Sequence, residues 1–332
     1  MNQRIAILGA GNMGTALAHA LASQGADVSI WDHFPETIAE ILSDRTNRRY
    51  LPGIDLHPTI RPLASAPECV RDARLVILCV PSVFVADILP PLLPSLRADA
   101  IFLNVAKGFS PDGETILPEW IRSIAPGHDC THLAGPALAD EIALGRPTFL
   151  TIAARQSSTA EETASIIRGE ILIPDTTTDL AGAVLAGILK NSHAIFLGLL
   201  DRLCGHGHNL SATALTLCAM EMERLLTAMG ARVETIRGLP GLGDLAATGN
   251  SPRSHNRRFG QALARGARPA GLRGKDAHLP EGARATASFL EAARILRVDV
   301  PILSAVAGIL DGTLPPASST LVEALRAAAR TG

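Results

Sequence analysis

Arg4-Ile5-Ala6-Ile7-Leu8-Gly9-Ala10-Gly11-Asn12-Met13-Gly14 decides the reading of this chain. A strand-type run, Arg4–Leu8, enters a glycine cluster and then a helical stretch from Asn12 to Gln24, with Gly25 where a helix C-cap falls. Gly9, Gly11 and Gly14 make a G-x-G-x-x-G. The first glycine allows the tight turn, the second lets the backbone approach a pyrophosphate, and the third lets the helix pack on the strand. The helix N-terminus offers unpaired N–H groups and the positive end of its dipole to the phosphates. A second strand, Ala26–Trp31, ends at Asp32, which lies 18 positions after Gly14. That is close to the spacing at which an acid holds ribose hydroxyls. The fingerprint alone also fits a glycine turn in another α/β fold; its strand–turn–helix context and the acid favour a dinucleotide. A carboxylate at Asp32 accepts from the 2′-OH of NAD and repels a 2′-phosphate, whereas His33 beside it tolerates one. The sequence therefore favours NAD and leaves NADP open.

Further strand-type runs follow at Arg74–Val80, Ala100–Val105, Thr131–Ala134 and Pro147–Ala153, several of them separated by helix-length segments. This alternation predicts βαβ units and a mostly parallel sheet, hence a Rossmann-like α/β domain. After about Thr178 long Ala/Leu segments take over and strand signals nearly vanish. The expected division is a dinucleotide-binding domain over 1–178 and an all-helical substrate and catalytic domain over 179–332. Asp179 is a candidate cap for a helix through Leu203; Asn209–Met229 reads as a second helix, and others follow Glu281 and Pro301. Arg265–Lys275 reads as an exposed loop.

With 332 residues, 47% hydrophobic, the chain is long enough to bury sizeable cores without disulfides or metals. Basic and acidic residues nearly balance, 30 against 32, which argues against a nucleic-acid binder and against disorder. Aromatics at 3% leave little for base stacking. The five cysteines include no CxxC pair, so neither a disulfide framework nor a zinc site is expected, and Cys79 reads as a small hydrophobe. No signal peptide is read at the N-terminus. The longest apolar stretch, Leu180–Leu200, carries Lys190, Asn191, Ser192 and His193 at its centre, which argues against membrane insertion. A soluble cytoplasmic protein is expected.

Several further motifs carry chemistry. Val80-Pro81-Ser82, Lys107-Gly108 and Gly135-Pro136-Ala137-Leu138-Ala139-Asp140-Glu141 each follow a strand, and ligands of open α/β sheets lie outside the carboxyl ends of strands. A plain strand-to-helix turn with Ser82 as N-cap accounts for the first nearly as well, a surface lysine for the second and an ordinary loop for the third. Leu189-Lys190-Asn191 places a lysine inside an apolar helix, with Gly182 and Gly187 permitting close approach of another element. A desolvated lysine has a lowered pKa and exchanges protons near neutrality; a lysine snorkelling to solvent is the equal alternative. Gly238-Leu239-Pro240-Gly241-Leu242-Gly243-Asp244 is a backbone able to fold round a ligand, and in a helix from Asp244, Thr248 shares its face. Ser254-His255-Asn256-Arg257-Arg258 supplies donors suited to an anion, or else forms a solvated basic turn.

Taken together, the motifs resemble the soluble, bacterial-type NAD(P)-dependent sn-glycerol-3-phosphate dehydrogenases over nearly the whole chain. The resemblance rests on GAGxxGTALA at Gly9–Ala18, Trp31-x-His33, Asn47-x-x-Tyr50-Leu51-Pro52, Val80-Pro81-Ser82, Lys107-Gly108, Gly135-Pro136 and Leu189-Lys190-Asn191. It continues through Gly241–Leu245, Asn256-Arg257-Arg258-Phe259-Gly260 and Glu281-Gly282. It implies reduction of dihydroxyacetone phosphate to sn-glycerol 3-phosphate and the reverse, a phosphorylated small-molecule substrate between the domains, a role in phospholipid biosynthesis, and a homodimer. By the same resemblance Lys190 is the acid/base, with Asn191, Asp244 and Thr248 beside it. Lys107, Gly135, Ala137, Lys190, Asp244, Ser254, His255 and Asn256 fall at substrate positions. Gly9, Gly11, Asn12, Met13, Gly14, Asp32, His33, Pro81, Lys107, Ala139, His255 and Glu281 fall at cofactor positions.

Two positions depart from the family pattern. The family has Gly-Pro-Thr where this chain has Gly135-Pro136-Ala137, and Ser-Arg-Asn where it has Ser254-His255-Asn256. Arginine grips phosphate with a planar fork, while neutral histidine offers one donor. Arg253 or Arg257 is the expected replacement. The alternative is a same-fold dehydrogenase acting on another polyol phosphate or hydroxy acid. Ala214–Met220 also departs from the family's usual run.

Overall fold

The computed structural model describes residues 3–205, 207–267 and 280–331. The chain divides into two compact units between Leu180 and Ala181. In the first, β1 (Arg4–Leu8), β2 (Asp27–Trp31), β3 (Arg61–Pro62), β4 (Leu75–Leu78), β5 (Ile101–Asn104), β6 (Cys130–Ala134), β7 (Thr148–Ala153) and β8 (Leu172–Thr177) form one sheet. Their order is β3-β2-β1-β4-β5-β6-β7-β8. All neighbours are parallel except β6 and β7, so the sheet is mostly parallel, as expected for a Rossmann-like unit.

The central strands are short and apolar because both of their faces are covered. Ile5, Ile7, Ile77 and Leu103 point into one hydrophobic layer, and Ala6, Leu8, Leu78 and Phe102 into the other. This two-residue alternation converts an unbroken apolar run into two cores. Leu8 lies opposite Trp31 and Leu78, and Leu78 opposite Asn104, so the carboxyl ends of four strands come level. Burial pushes the Cys79 thiol up to about 12, which suits a space-filling thiol and not a nucleophile.

Helices α1 (Asn12–Ser23), α2 (Pro35–Asp44), α3 (Ala66–Val70), α4 (Ser82–Ile88), α5 (Leu117–Ile124), α6 (Ala139–Ala143) and α7 (Ser157–Ile167) connect the strands. The helix α4 corrects one expectation: Pro81, not Ser82, is its N-cap, and Ser82 is its first residue. Two strands escape the sequence reading. β3 has only two residues, and β8 carries Pro174 and Asp175 in an edge position, which removes the β-type signal.

The second unit is helical: α8 (Leu180–Cys204), α9 (His208–Ala228), α10 (Val233–Arg237), α11 (Asp244–Asn250), α12 (His255–Leu263), α13 (Glu281–Leu296), α14 (Pro301–Asp311) and α15 (Ser318–Arg330). The helix α8 is long and apolar enough to cross a membrane, and its most apolar window is wholly buried. Close approach to it needs glycine. A Cβ on Gly198 would stand 2.0 Å from the Arg257 carbonyl oxygen, so α12 lies backbone-to-backbone on α8. The string Ser254–Arg258, read as a possible basic turn, is the capped start of α12, where Ser254 Oγ accepts from the Arg257 N–H at 3.3 Å. From Arg268 onward the expected loop Arg265–Lys275 lies outside the described residues.

Candidate active site

In the first unit the glycine turn is built tightly. Gly9 has φ +107°, and a Cβ on Gly14 would stand 1.9 Å from the Gly9 carbonyl oxygen. At Gly11 a Cβ would meet nothing within 4 Å, so the turn is open above that residue alone of the three. Gly11 is also the N-cap of α1 and supplies no side-chain cap, which leaves the first amides of the helix for a ligand. These features fit a pyrophosphate: the turn is tight underneath and open where phosphate oxygens would lie. Asn12 is exposed and Met13 half-buried at the same helix end.

The turn is braced by side chains from distant segments. Asn47 Nδ2 donates to the Ala10 carbonyl and to Thr15 Oγ1, both at 2.8 Å, and Thr15 Oγ1 donates to the same carbonyl at 3.0 Å. Asp32 accepts backbone N–H bonds on both oxygens, from Ala10 on Oδ2 and from Phe34 on Oδ1. Asp32, expected at the ribose, is in the fold also a strut of the glycine turn. His33 is exposed and meets the Phe34 ring edge-on, with centroids 5.4 Å apart.

The remaining first-unit residues stand at the same carboxyl edge of the sheet. Pro81 follows β4, Lys107 follows β5, and Gly135, with φ +113°, follows β6; Ala137 precedes α6 and Ala139 opens it. Gly108 lies against Ser82, since a Cβ there would be 2.4 Å from Ser82 Oγ. Beneath Lys107 and Gly135, buried Asn104 donates from Nδ2 to the Ala106 carbonyl at 2.9 Å and to His132 Nδ1 at 3.0 Å. That pair ties the ends of β5 and β6 together, and neither residue stood out in the sequence.

In the second unit the polar run inside α8 splits among four partners. Lys190, 3% exposed, donates from Nζ to Asp244 Oδ1 and to Thr248 Oγ1. Asp244 is likewise 3% exposed, and Thr248, one helical turn on, lies 3.4 Å from its carboxylate. A lysine this deep is held in place by a carboxylate and a hydroxyl instead of snorkelling to water. Asn191 is buried against Gly282, where a Cβ would be 2.5 Å from the Asn191 carbonyl oxygen. Ser192 Oγ donates to the Gly282 carbonyl at 2.9 Å. The Gly282 N–H donates to Asn256 Oδ1 at 3.1 Å, and Glu281 opens α13 beside it. His193 serves the framework: its Nε2 lies 3.1 Å from Glu221, whose oxygens accept from the Ile302 and Leu303 amides and so cap α14.

His255 does not join these clusters. Its Nδ1 lies 3.2 Å from Arg258 Nη2. Burial and the neighbouring Arg258 charge hold its pKa below the usual histidine value, so the ring is neutral at pH 7. Arg257, one of the two expected replacements for the missing arginine, is committed elsewhere: its guanidinium pairs with Asp201. The guanidinium that meets His255 belongs to Arg258.

Comparison with known proteins agrees across the chain. The family model for the NAD-dependent glycerol-3-phosphate dehydrogenase N-terminus matches residues 4–160, and the model for the C-terminus of the same family matches residues 179–320. The chain is 36% identical over 320 residues to glycerol-3-phosphate dehydrogenase (NAD(P)+) of Agrobacterium fabrum, covering 96% of this chain and 95% of the other. It is 39% identical over 314 residues to the protein of the same name from Deinococcus radiodurans, covering 94% and 92%. The crystal structure of glycerol-3-phosphate dehydrogenase from Coxiella burnetii superposes with a TM-score of 0.86 at 30% identity, over 98% of this chain and 99% of that one.

Proposed function

The chain belongs to the NAD-dependent glycerol-3-phosphate dehydrogenase family, and from that premise we propose that it interconverts dihydroxyacetone phosphate and sn-glycerol 3-phosphate with NAD(P). The observation that carries the reading is the buried Lys190 ammonium held by Asp244 and Thr248. A bound nicotinamide supplies or accepts the hydride. Lys190 donates a proton from Nζ to the substrate's carbonyl oxygen in reduction and takes it back from the hydroxyl in oxidation. Asp244 and Thr248 hold Nζ, which keeps the proton in one place, and Asn191 orients the substrate.

In this reading residues 1–178 bind the dinucleotide and residues 179–332 carry catalysis. Gly9, Gly11, Asn12, Met13, Gly14, Asp32, His33, Pro81, Ala139 and Glu281 contact the cofactor. Lys107 and His255 serve cofactor and substrate, while Gly135, Ala137, Ser254 and Asn256 hold the substrate. The free cysteines and the near-neutral charge support a soluble cytoplasmic enzyme. A homodimer and a role in phospholipid biosynthesis rest on the family resemblance. The deciding test is oxidation of NADH and NADPH by the purified chain with dihydroxyacetone phosphate and a panel of other polyol phosphates, ketones and keto acids. The expected result is the highest kcat/KM with dihydroxyacetone phosphate; a higher value with another substrate would overturn the proposal.

A further inference from the structure

Two buried polar side chains at the carboxyl end of the sheet have no part in the reaction assigned so far. Asn104 and His132, 0% and 1% exposed, stand opposite each other in the register of β5 and β6. They lie on the face that carries Phe102 and Cys130, at the end of an apolar layer. Asn104 Nδ2 meets the Ala106 carbonyl at 2.9 Å, which fixes the amide as the donor there, and His132 Nδ1, 3.0 Å away, is then the acceptor. Asn104 Oδ1 is buried with no hydrogen-bond partner among the described residues. An orphaned buried oxygen costs stability, and two apolar side chains would fill this place without that cost. Packing alone therefore does not account for the pair.

What the pair does fix is the chain just past β5. The Val105 N–H donates to the Leu78 carbonyl at 3.1 Å, and beyond it the chain leaves the sheet. The Ala106 carbonyl and the Lys107 nitrogen belong to one peptide plane. By bonding that carbonyl, Asn104 sets the plane from which half-buried Lys107 starts. On the other side Gly108 lies against Ser82, so Lys107 is held through both neighbours. His132 ties the same amide to β6, three positions before Gly135.

We propose that Asn104 and His132 are positioning residues: together they aim Lys107, and so set the affinity for the phosphorylated substrate without touching it. The inference rests on the reading of Lys107 as a substrate contact. A misplaced ammonium keeps its charge and loses the geometry of its charge-assisted bond.

The test is a mutant cycle on the whole chain, read as KM and kcat for dihydroxyacetone phosphate at saturating cofactor, with thermal melting beside it. Lys107→Ala should raise KM by about 10–150-fold, the worth of one charge-assisted bond. Asn104→Leu/His132→Leu should melt within a few degrees of wild type, because both partners go together, and should raise KM about 10-fold with kcat nearly unchanged. Added to Lys107→Ala, the same two substitutions should raise KM no further, since the pair acts through that lysine. His132→Asn keeps an acceptor at the place of Nδ1 and should stay close to wild type. Should the double leucine variant not fold, Asn104→Ala is read in its place. An unchanged KM in the double leucine variant overturns the inference. So does an equal further rise in the Lys107→Ala background, and a KM that merely follows the melting temperature would mark a packing role. A wild-type KM in Lys107→Ala instead overturns the substrate reading of Lys107 on which the inference rests, so the two failures are distinct.

Discussion

Replacing Lys190 by alanine removes the proposed proton donor and also strands a buried carboxylate, and the two effects can be separated. Loss of a positioned general acid/base lowers kcat by about 10²–10⁴-fold, or roughly 2.7–5.5 kcal/mol of barrier. Asp244, almost fully buried, loses its cation at the same time. Breaking a buried pair by removing one partner costs about 3–5 kcal/mol of stability, whereas removing both partners costs much less. The double variant Lys190→Ala/Asp244→Ala should therefore melt above the single variant and remain just as inactive. Activity is read as dihydroxyacetone phosphate-dependent cofactor oxidation under saturating conditions, stability by thermal melting, and integrity of the first unit by dinucleotide binding. A Lys190→Ala enzyme with near wild-type kcat would refute the mechanism. Turnover restored by the second substitution would show that the single variant failed by misfolding and not by loss of a proton donor.

Gly11→Ala should fold with an unchanged melting temperature and lose dinucleotide affinity, because its Cβ meets no protein atom yet enters the open side of the turn; unchanged binding would place the pyrophosphate elsewhere. His255→Arg should lower KM for dihydroxyacetone phosphate by up to about 10–150-fold, the worth of one charge-assisted bond. Because the His255 pKa lies below its ordinary value, the histidine is uncharged at pH 7, and the gap between variant and wild type should narrow only as pH falls below about 6.5 and the ring protonates. A KM that does not move on His255→Arg would show the phosphate bound away from α12. Arg257→Ala should reduce thermal stability, since it takes the guanidinium away from half-buried Asp201. Glu221→Ala should cost about 2–4 kcal/mol in denaturant unfolding, by uncapping α14 and freeing His193, with kcat preserved in the folded fraction; a lost kcat would give the Glu221–His193 pair a part in the reaction.

What was legible in the sequence is what short-range chemistry encodes. The run Arg4–Gly14 specifies its strand, turn and helix through apolar continuity and three glycines, each needed within a few residues of the others. The alternation of such runs led to the mostly parallel sheet, and the length of the Leu180–Leu200 stretch led to the central helix of the second unit. Lys190 stood out because a charge inside an apolar helix is rare. Its partners are another matter: Asp244 lies 54 positions away, and only packing of α11 against α8 decides that the two share a hydrogen bond. The same holds for Asn47, 37 positions from the carbonyl it braces, for the Asn104–His132 tie and for Glu221, which caps a helix 81 positions on. No local pattern marks these residues, because an isolated Asn or Glu reads equally well as solvated surface. The strands β3 and β8 were hidden for a related reason: one is too short and the other too polar to show a period, and each exists because the neighbouring strand offers unpaired backbone groups. Tertiary structure alone also made Asp32 a strut, since the parallel pairing of β1 with β2 sets the glycine turn beside its carboxylate.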